Sequence, residues 1–139
     1  MSFTELPFVR VVVLSFDGGQ MTIDCIESLL RTKWPADRLE IVMVDNGSLD
    51  DVSPRVKTSY PVVRVLEPLR NLGFAGGCNL GISATLDWQG RPLREPDRVA
   101  LVNKDAIVDP GWLAALNEVL STGSDVGAAS PKMLFAERY

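Results

Sequence analysis

Three aspartates in this chain, Asp17, Asp45 and Asp105, each stand at the end of an apolar run or just beyond it. The clearest case is Leu101-Val102-Asn103-Lys104-Asp105, where the apolar run breaks and the chain turns. A carboxylate in an open turn at the mouth of a strand is well placed to hold a hard cation against a phosphate. Mg2+ and Mn2+ are commonly bound in this way, by one or two protein carboxylates plus substrate oxygens. After three more apolar residues comes Asp109-Pro110, which reads as a helix start. Asp109 can cap the orphan N–H groups, and Pro110 suits the first helical position because no donor is needed there.

Elements that could gather these carboxylates follow from the spacing of apolar residues. Residues 9–15, 39–45 and 61–66 are short, valine-rich or isoleucine-rich runs, the pattern of strands buried on both faces of a parallel sheet. Between the first two, Ile23, Ile26 and Leu30, flanked by Cys25 and Leu29, recur at helical spacing. Ser48-Leu49-Asp50-Asp51 matches a capping box with Asp in place of Glu and predicts a helix from about Leu49, with Pro54 inside it. A glycine-rich loop then leads to a helix expected over residues 74–85. Residues 87–97 are polar, hold two prolines and read as a surface loop. A further helix is expected over 112–120, followed by strand-like stretches at 126–130 and 132–135. Strand alternating with helix describes a doubly wound α/β fold with a mostly parallel sheet and helices on both faces. Ligands of such sheets sit beyond the carboxyl ends of the strands, where all three aspartates fall.

Composition narrows the function. At 139 residues the chain is one domain, with 46% hydrophobic and 23% charged residues, ordinary values for a globular protein. Its 14 basic and 18 acidic residues give a net charge of −4 and no basic stripe, which argues against a nucleic-acid partner. No apolar run reaches the ~20 residues of a membrane span, and the first residues lack signal-peptide character. Two cysteines, Cys25 and Cys78, suit a reducing compartment, so a cytoplasmic location is expected, with room for peripheral attachment to a membrane. The absence of histidine excludes His-based triads and His-ligated zinc.

The motifs, taken in order, resemble the nucleotide-binding half of a family 2 inverting nucleotide-sugar glycosyltransferase of GT-A type. Val42-Met43-Val44-Asp45-Asn46-Gly47-Ser48 is similar to the family's strand ending in aspartate. Asn71-Leu72-Gly73-Phe74-Ala75-Gly76-Gly77-Cys78-Asn79-Leu80-Gly81 resembles the signature of rhamnosyltransferase-like members, with Cys78 where Asn is usual. Asn103-Lys104-Asp105 is similar to the metal-binding DXD motif in Asn-X-Asp form, and residues 109–113 to the segment that follows it. The likeness runs over about residues 10–135.

The resemblance implies transfer of a sugar, with inversion, from a UDP- or dTDP-sugar to a saccharide or lipid-linked acceptor hydroxyl. It implies that Asp45 accepts a hydrogen bond from the ring N–H of a pyrimidine. It places Ser15, Asp17, Asn71, Gly73, Gly76 and Asn103 in the same nucleotide site, and Mn2+ or Mg2+ on Asp105. The metal would stabilise charge on the departing nucleoside diphosphate. Lys104 is expected at the surface, though within reach of a phosphate. Gly76 and Gly77 admit either close ligand approach or tight helix packing.

An inverting transfer also needs a general base for the acceptor hydroxyl. The family supplies it from its second half, so the base is expected beyond Tyr139 and the chain is read as the donor-binding part, truncated. Such a part would leave a sheet edge and an apolar face open and would tend to self-associate as a homo-oligomer. A non-catalytic nucleotide-binding or interaction module is the competing reading. A nicotinamide dehydrogenase is excluded because Ser15-Phe16-Asp17-Gly18-Gly19-Gln20 is no G-x-G-x-x-G, and a P-loop nucleotidase because G-x-x-x-x-G-K-[ST] is missing. The glycine-rich basic loop of nucleotidylyltransferases is likewise absent.

Overall fold

A computed structural model describes residues 6–134. Four strands, β1 (Val9–Ser15), β2 (Leu39–Asp45), β3 (Arg64–Leu66) and β4 (Arg98–Asn103), form one sheet in the order β3-β2-β1-β4. Every pairing is parallel, with Ser15 opposite Asp45 and Leu14 opposite Asn103. The chain therefore winds outward from β1 to β3 and then returns to the far side of β1. That reversal creates a switch point between β1 and β4, where the loops diverge.

The helices are α1 (Gln20–Leu30), α2 (Val52–Ser59), α3 (Gly73–Ser83) and α4 (Trp112–Leu120). Alternation along the strands divides the core. Val9, Val11 and Val13 of β1, with Ile41 and Met43 of β2, pack with Ile23, Ile26 and Leu29 of α1, Val52 and Val56 of α2 and Leu113 of α4. Val12, Val42, Val44 and Leu66 point the other way, with Leu14, Leu80 and Ile82 packed against them. Helices thus lie on both faces, as the sequence predicts, while Val99 and Leu101 of β4 stay exposed. Gly77 and Gly81 let α3 lie close: a Cβ on either would collide with Leu14 or Val12 of the sheet.

Arg10 holds the far end of α3 in place. It is 1% exposed and donates from Nη1 to the carbonyls of Gly81 (3.2 Å), Ile82 (2.8 Å) and Ala84 (3.1 Å). Nη2 donates to the carbonyl of Arg94 (2.7 Å), and Nε pairs with Glu40 at 2.9 Å. A guanidinium thus satisfies carbonyls that the end of a helix leaves open. Residues 85–93 form a hairpin, joined by a Leu93-to-Thr85 bond (2.8 Å), that covers the β3 edge through the Trp88 N–H and the Val65 carbonyl (2.9 Å).

Several expected boundaries shift. The strand expected over 61–66 is only Arg64–Leu66, because Val63 is drawn into a turn by the Tyr60 carbonyl. The helix expected to begin near Leu49 begins at Val52, because the Ser48 hydroxyl is taken by the backbone of Asp17 and forms no capping box. The α3 helix stops at Ser83 because Ala84 is extended and starts the hairpin. Leu30 of α1 is exposed, whereas Ile23 and Ile26 of the same spacing are buried. Asp109 does not cap α4, and Pro110 is not its first residue. The Asp109 carboxylate instead closes a turn onto the Gly111 N–H (2.8 Å), while the Pro110 carbonyl accepts from Lys33 (2.9 Å). Residues 126–134 form no strand and join no ladder; Phe135, expected to end the last one, lies outside the described residues.

Candidate functional site

The carboxyl ends of β1, β2 and β4 open into three loops, and each loop carries one of the aspartates. Because β1 separates β2 from β4, the ends bearing Asp45 and Asn103 lie roughly 10 Å apart, two strand spacings. That span suits a nucleotide laid across the switch point.

The β1 and β2 loops are stitched together. Asp17, at φ 45°, donates its N–H to Ser48 Oγ (2.9 Å) and accepts from the Leu49 N–H at Oδ1 (2.9 Å). Aspartate tolerates this left-handed conformation better than most side chains. Asp50 Oδ2 accepts from the Gly19 N–H (3.0 Å), and Asp45 Oδ1 accepts from the Ser48 N–H (3.0 Å). Asp45 is half-buried, and the contact to Ser48 uses only one carboxylate oxygen, so the other can receive a further donor.

Asn46 ties β2 to the glycine loop. It is 2% exposed, and its Nδ2 donates to Asn71 Oδ1 (3.1 Å) and the Gly73 carbonyl (3.0 Å). Its Oδ1 accepts from the Leu72 N–H (2.8 Å). Asn71 Oδ1 also accepts from the Gly73 N–H (2.7 Å), which fixes the start of α3. Beside it, Gly47 sits at φ 86°, where a Cβ would lie 2.8 Å from the backbone of Arg70 and Asn71. Only glycine allows the two loops to approach this closely.

At the β4 end, Asn103 and Asp105 are exposed on alternate residues of a turn closed by the Ala106 N–H and the Asn103 carbonyl (3.0 Å). Between them, the Lys104 ammonium donates to the carbonyl of Phe16. Asp105 lies near enough to the buried Cys25 to act on it. Burial, with the Asp105 charge added, pushes that thiol up to about 12. The amide oxygen of Asn103 and the carboxylate of Asp105 are hard donors of the kind that divalent cations take. Among the described residues no group of three or more His, Cys, Asp or Glu could hold a metal. One carboxylate and one amide oxygen suit a cation that takes its remaining ligands from phosphate and water.

Of the residues expected in the site, Asp17 and Asp45 meet through the Ser48-Leu49 turn, and Asn71 and Gly73 meet at Asn46. Asn103 and Asp105 stand together across β1. The Ser15 side chain is turned inward: it is fully buried and bonded to Thr22 Oγ1 (3.1 Å), leaving only its backbone at the loop. Gly76 faces Leu72, just ahead of α3, where a Cβ would stand 3.0 Å from the Leu72 Cβ. Three features that shape these loops were missed: Asn46, Gly47 and the Lys104 contact. The Asp45-Asn46-Gly47-Ser48 string carries a signal for the first two, since Asn and Gly together mark a tight turn.

Comparison with known proteins bears on the family and the fold. The Glycosyl transferase family 2 profile matches residues 10–133. An N-acetylglucosaminyl-diphospho-decaprenol L-rhamnosyltransferase of Mycobacterium tuberculosis is 30% identical over 87% of this chain and 39% of its own length. The glycosyltransferase AglE of Haloferax volcanii is 23% identical over 98% of this chain and 45% of its own. The chain thus spans less than half the length of these relatives. A mannosyltransferase from Pyrobaculum calidifontis, solved with GDP-Man and Mn2+, superposes at a TM-score of 0.71, with 22% identity over 85% of this chain and 33% of its own. S. aureus TarS in complex with UDP-GlcNAc superposes at 0.64, with 19% identity over 81% of this chain and 30% of its own. These likenesses extend the GT-A type fold to the sheet described above. With the family profile covering nearly its whole length, the chain belongs to glycosyltransferase family 2.

Proposed function

We propose that residues 1–139 form the donor-binding part of an inverting glycosyltransferase that uses a UDP- or dTDP-sugar. The observation that carries this reading is the pairing of Asp45, at the end of β2, with Asn103 and Asp105, at the end of β4, on either side of the β1 loop. Asp45 keeps a carboxylate oxygen for the ring N–H of a pyrimidine, and the backbone at Phe16–Gly19 forms the adjoining wall. Asn71 and Gly73, held by Asn46, shape the side nearest α3. A divalent cation, Mn2+ or Mg2+, would be held by Asp105 with Asn103 beside it, and when bound it would offset charge on the leaving diphosphate.

The acceptor, a saccharide or lipid-linked hydroxyl, needs a carboxylate base. At this end of the sheet Asp17 accepts from Leu49 and Asp50 from Gly19 and Val52, bonds that brace the loops, and Asp45 and Asp105 have the roles above. We therefore assign the base to the part of the family's length that this chain does not span. No helix among the described residues is long and apolar enough to cross a membrane.

Calorimetric titration of UDP and dTDP tests the reading, with Mn2+ or with chelator, for the parent and for Asp105→Ala. Metal should tighten binding to the parent and leave Asp105→Ala unchanged. Equal affinity under all four conditions would refute it.

A further inference from the structure

Resting on the donor-site reading above, we infer that Lys104 is a diphosphate-binding residue, giving the site affinity for the donor's diphosphate that does not depend on metal. The register sets Asn103 opposite Leu14, so Lys104 leaves the sheet beside the end of β1. Its side chain turns across the switch point, and the ammonium donates to the Phe16 carbonyl. The stem passes over Gly18, where a Cβ would lie 2.9 Å from Lys104 Cδ. The same Cβ would stand 2.1 Å from Thr22 Oγ1, so glycine clears the β1 loop for both neighbours.

A lysine without a task at a surface extends into water, because ordering its four-carbon stem costs entropy. Lys104 is folded back and half-buried instead. The carbonyl uses one of the three ammonium donors, and two remain for phosphate oxygens. The surrounding charge explains why such a cation is needed. Asp17, Asp45, Asp50 and Asp105 all sit on the loops at this end, and a diphosphate approaching them is repelled. A fixed positive charge between β1 and β4, flanked by Asn103 and Asp105, draws the diphosphate to where the cation-binding turn stands.

A charge-assisted hydrogen bond to phosphate at a half-exposed position corresponds to roughly a tenfold change in affinity. The test titrates UDP, inorganic pyrophosphate and uridine into the parent chain, Lys104→Met and Lys104→Arg, with chelator and with Mg2+, following backbone amide NMR shifts. In chelator, Lys104→Met should bind UDP and pyrophosphate about tenfold more weakly, with uridine unchanged, and Lys104→Arg should recover most of the loss. A lysine that only braced the β1 loop would weaken uridine as much as UDP, and that result overturns the inference. So does unchanged UDP binding by Lys104→Met when the parent binds UDP normally, an outcome that leaves the donor-site reading standing. A parent chain that binds UDP under neither condition removes both.

Discussion

Asn46 ties the end of β2 to the loop that starts α3. Its three hydrogen bonds, to Asn71, Gly73 and Leu72, are made at 2% exposure. At about 1 kcal/mol net for each bond, Asn46→Ala should cost about 3 kcal/mol. With a slope of roughly 1.5–2 kcal/mol per molar urea, the unfolding midpoint falls by about 1.5–2 M. Asn46→Asp is more discriminating, because it keeps the acceptor for Leu72 but turns the donor into an acceptor. The new oxygen would face Asn71 Oδ1 and the Gly73 carbonyl, now 3.1 and 3.0 Å from Nδ2. Asn71 cannot flip its amide to help without losing its bond from the Gly73 N–H. Asn46→Asp should therefore be at least as damaging as Asn46→Ala at neutral pH. Burial opposite two acceptors raises the folded pKa of the introduced carboxyl. Stability relative to the parent is then best at acid pH and is lost as pH rises through that value. Urea unfolding of both variants at several pH values, with UDP titrations on the folded fraction, reads the effect. A loss under about 1 kcal/mol for Asn46→Ala, or an Asn46→Asp variant as stable as the parent at neutral pH, would refute the reasoning.

Arg10→Met should destabilise the fold by about 3–5 kcal/mol in urea, because it strands Glu40, whose side chain is 9% exposed. Adding Glu40→Gln should return part of that loss, and an additive double variant would contradict the pairing. Burial pushes the Asp87 carboxyl up, but bonds from the Arg91 backbone, the Arg64 and Arg91 guanidinia and the Gln89 backbone outweigh it, and the carboxyl sits below the usual range. Its contribution to stability is present above that range and is lost as pH falls through its folded pKa. Asp87→Asn should accordingly flatten the acid limb of urea-measured stability, and an unchanged limb would count against the assignment. With Cys25 pushed up to about 12, the folded chain should resist thiol reagents at pH ~8 and react at Cys25 only on unfolding. Rapid labelling of Cys25 in the folded chain would show that its burial is wrong.

Much of the site was legible in the sequence because strand ends are marked twice, once by the apolar run that stops and once by the polar residue that follows. That double signal placed Asp17, Asp45 and Asp105 at one end of the sheet before any coordinates. Local capping signals were less reliable, and the reason is competition from partners distant in sequence. Ser48 looks like a helix cap for its own segment, yet its hydroxyl is taken by Asp17, 31 residues away. The Pro110 carbonyl is likewise taken by Lys33. Arg10 was unreadable for the same reason, since a charge inside an apolar strand finds its partners at Gly81, Ile82, Ala84 and Arg94. The stretch at 126–130 has apolar character but meets no partner strand among the described residues, and composition alone cannot supply a neighbour.

On the reading proposed above, a nucleoside diphosphate and a divalent cation meet between the ends of β1, β2 and β4. Paramagnetic broadening of backbone amide signals tests it most directly: the chain is titrated with UDP and Mg2+, and a trace of Mn2+ is then introduced. Signals from residues 16–19 and 103–106 should vanish first, those of Ser48 and Gly73 should shift with UDP, and Asp105→Ala should abolish the broadening. Broadening centred elsewhere, for instance around Trp88 and the 85–93 hairpin, or broadening that survives Asp105→Ala, would contradict the claim.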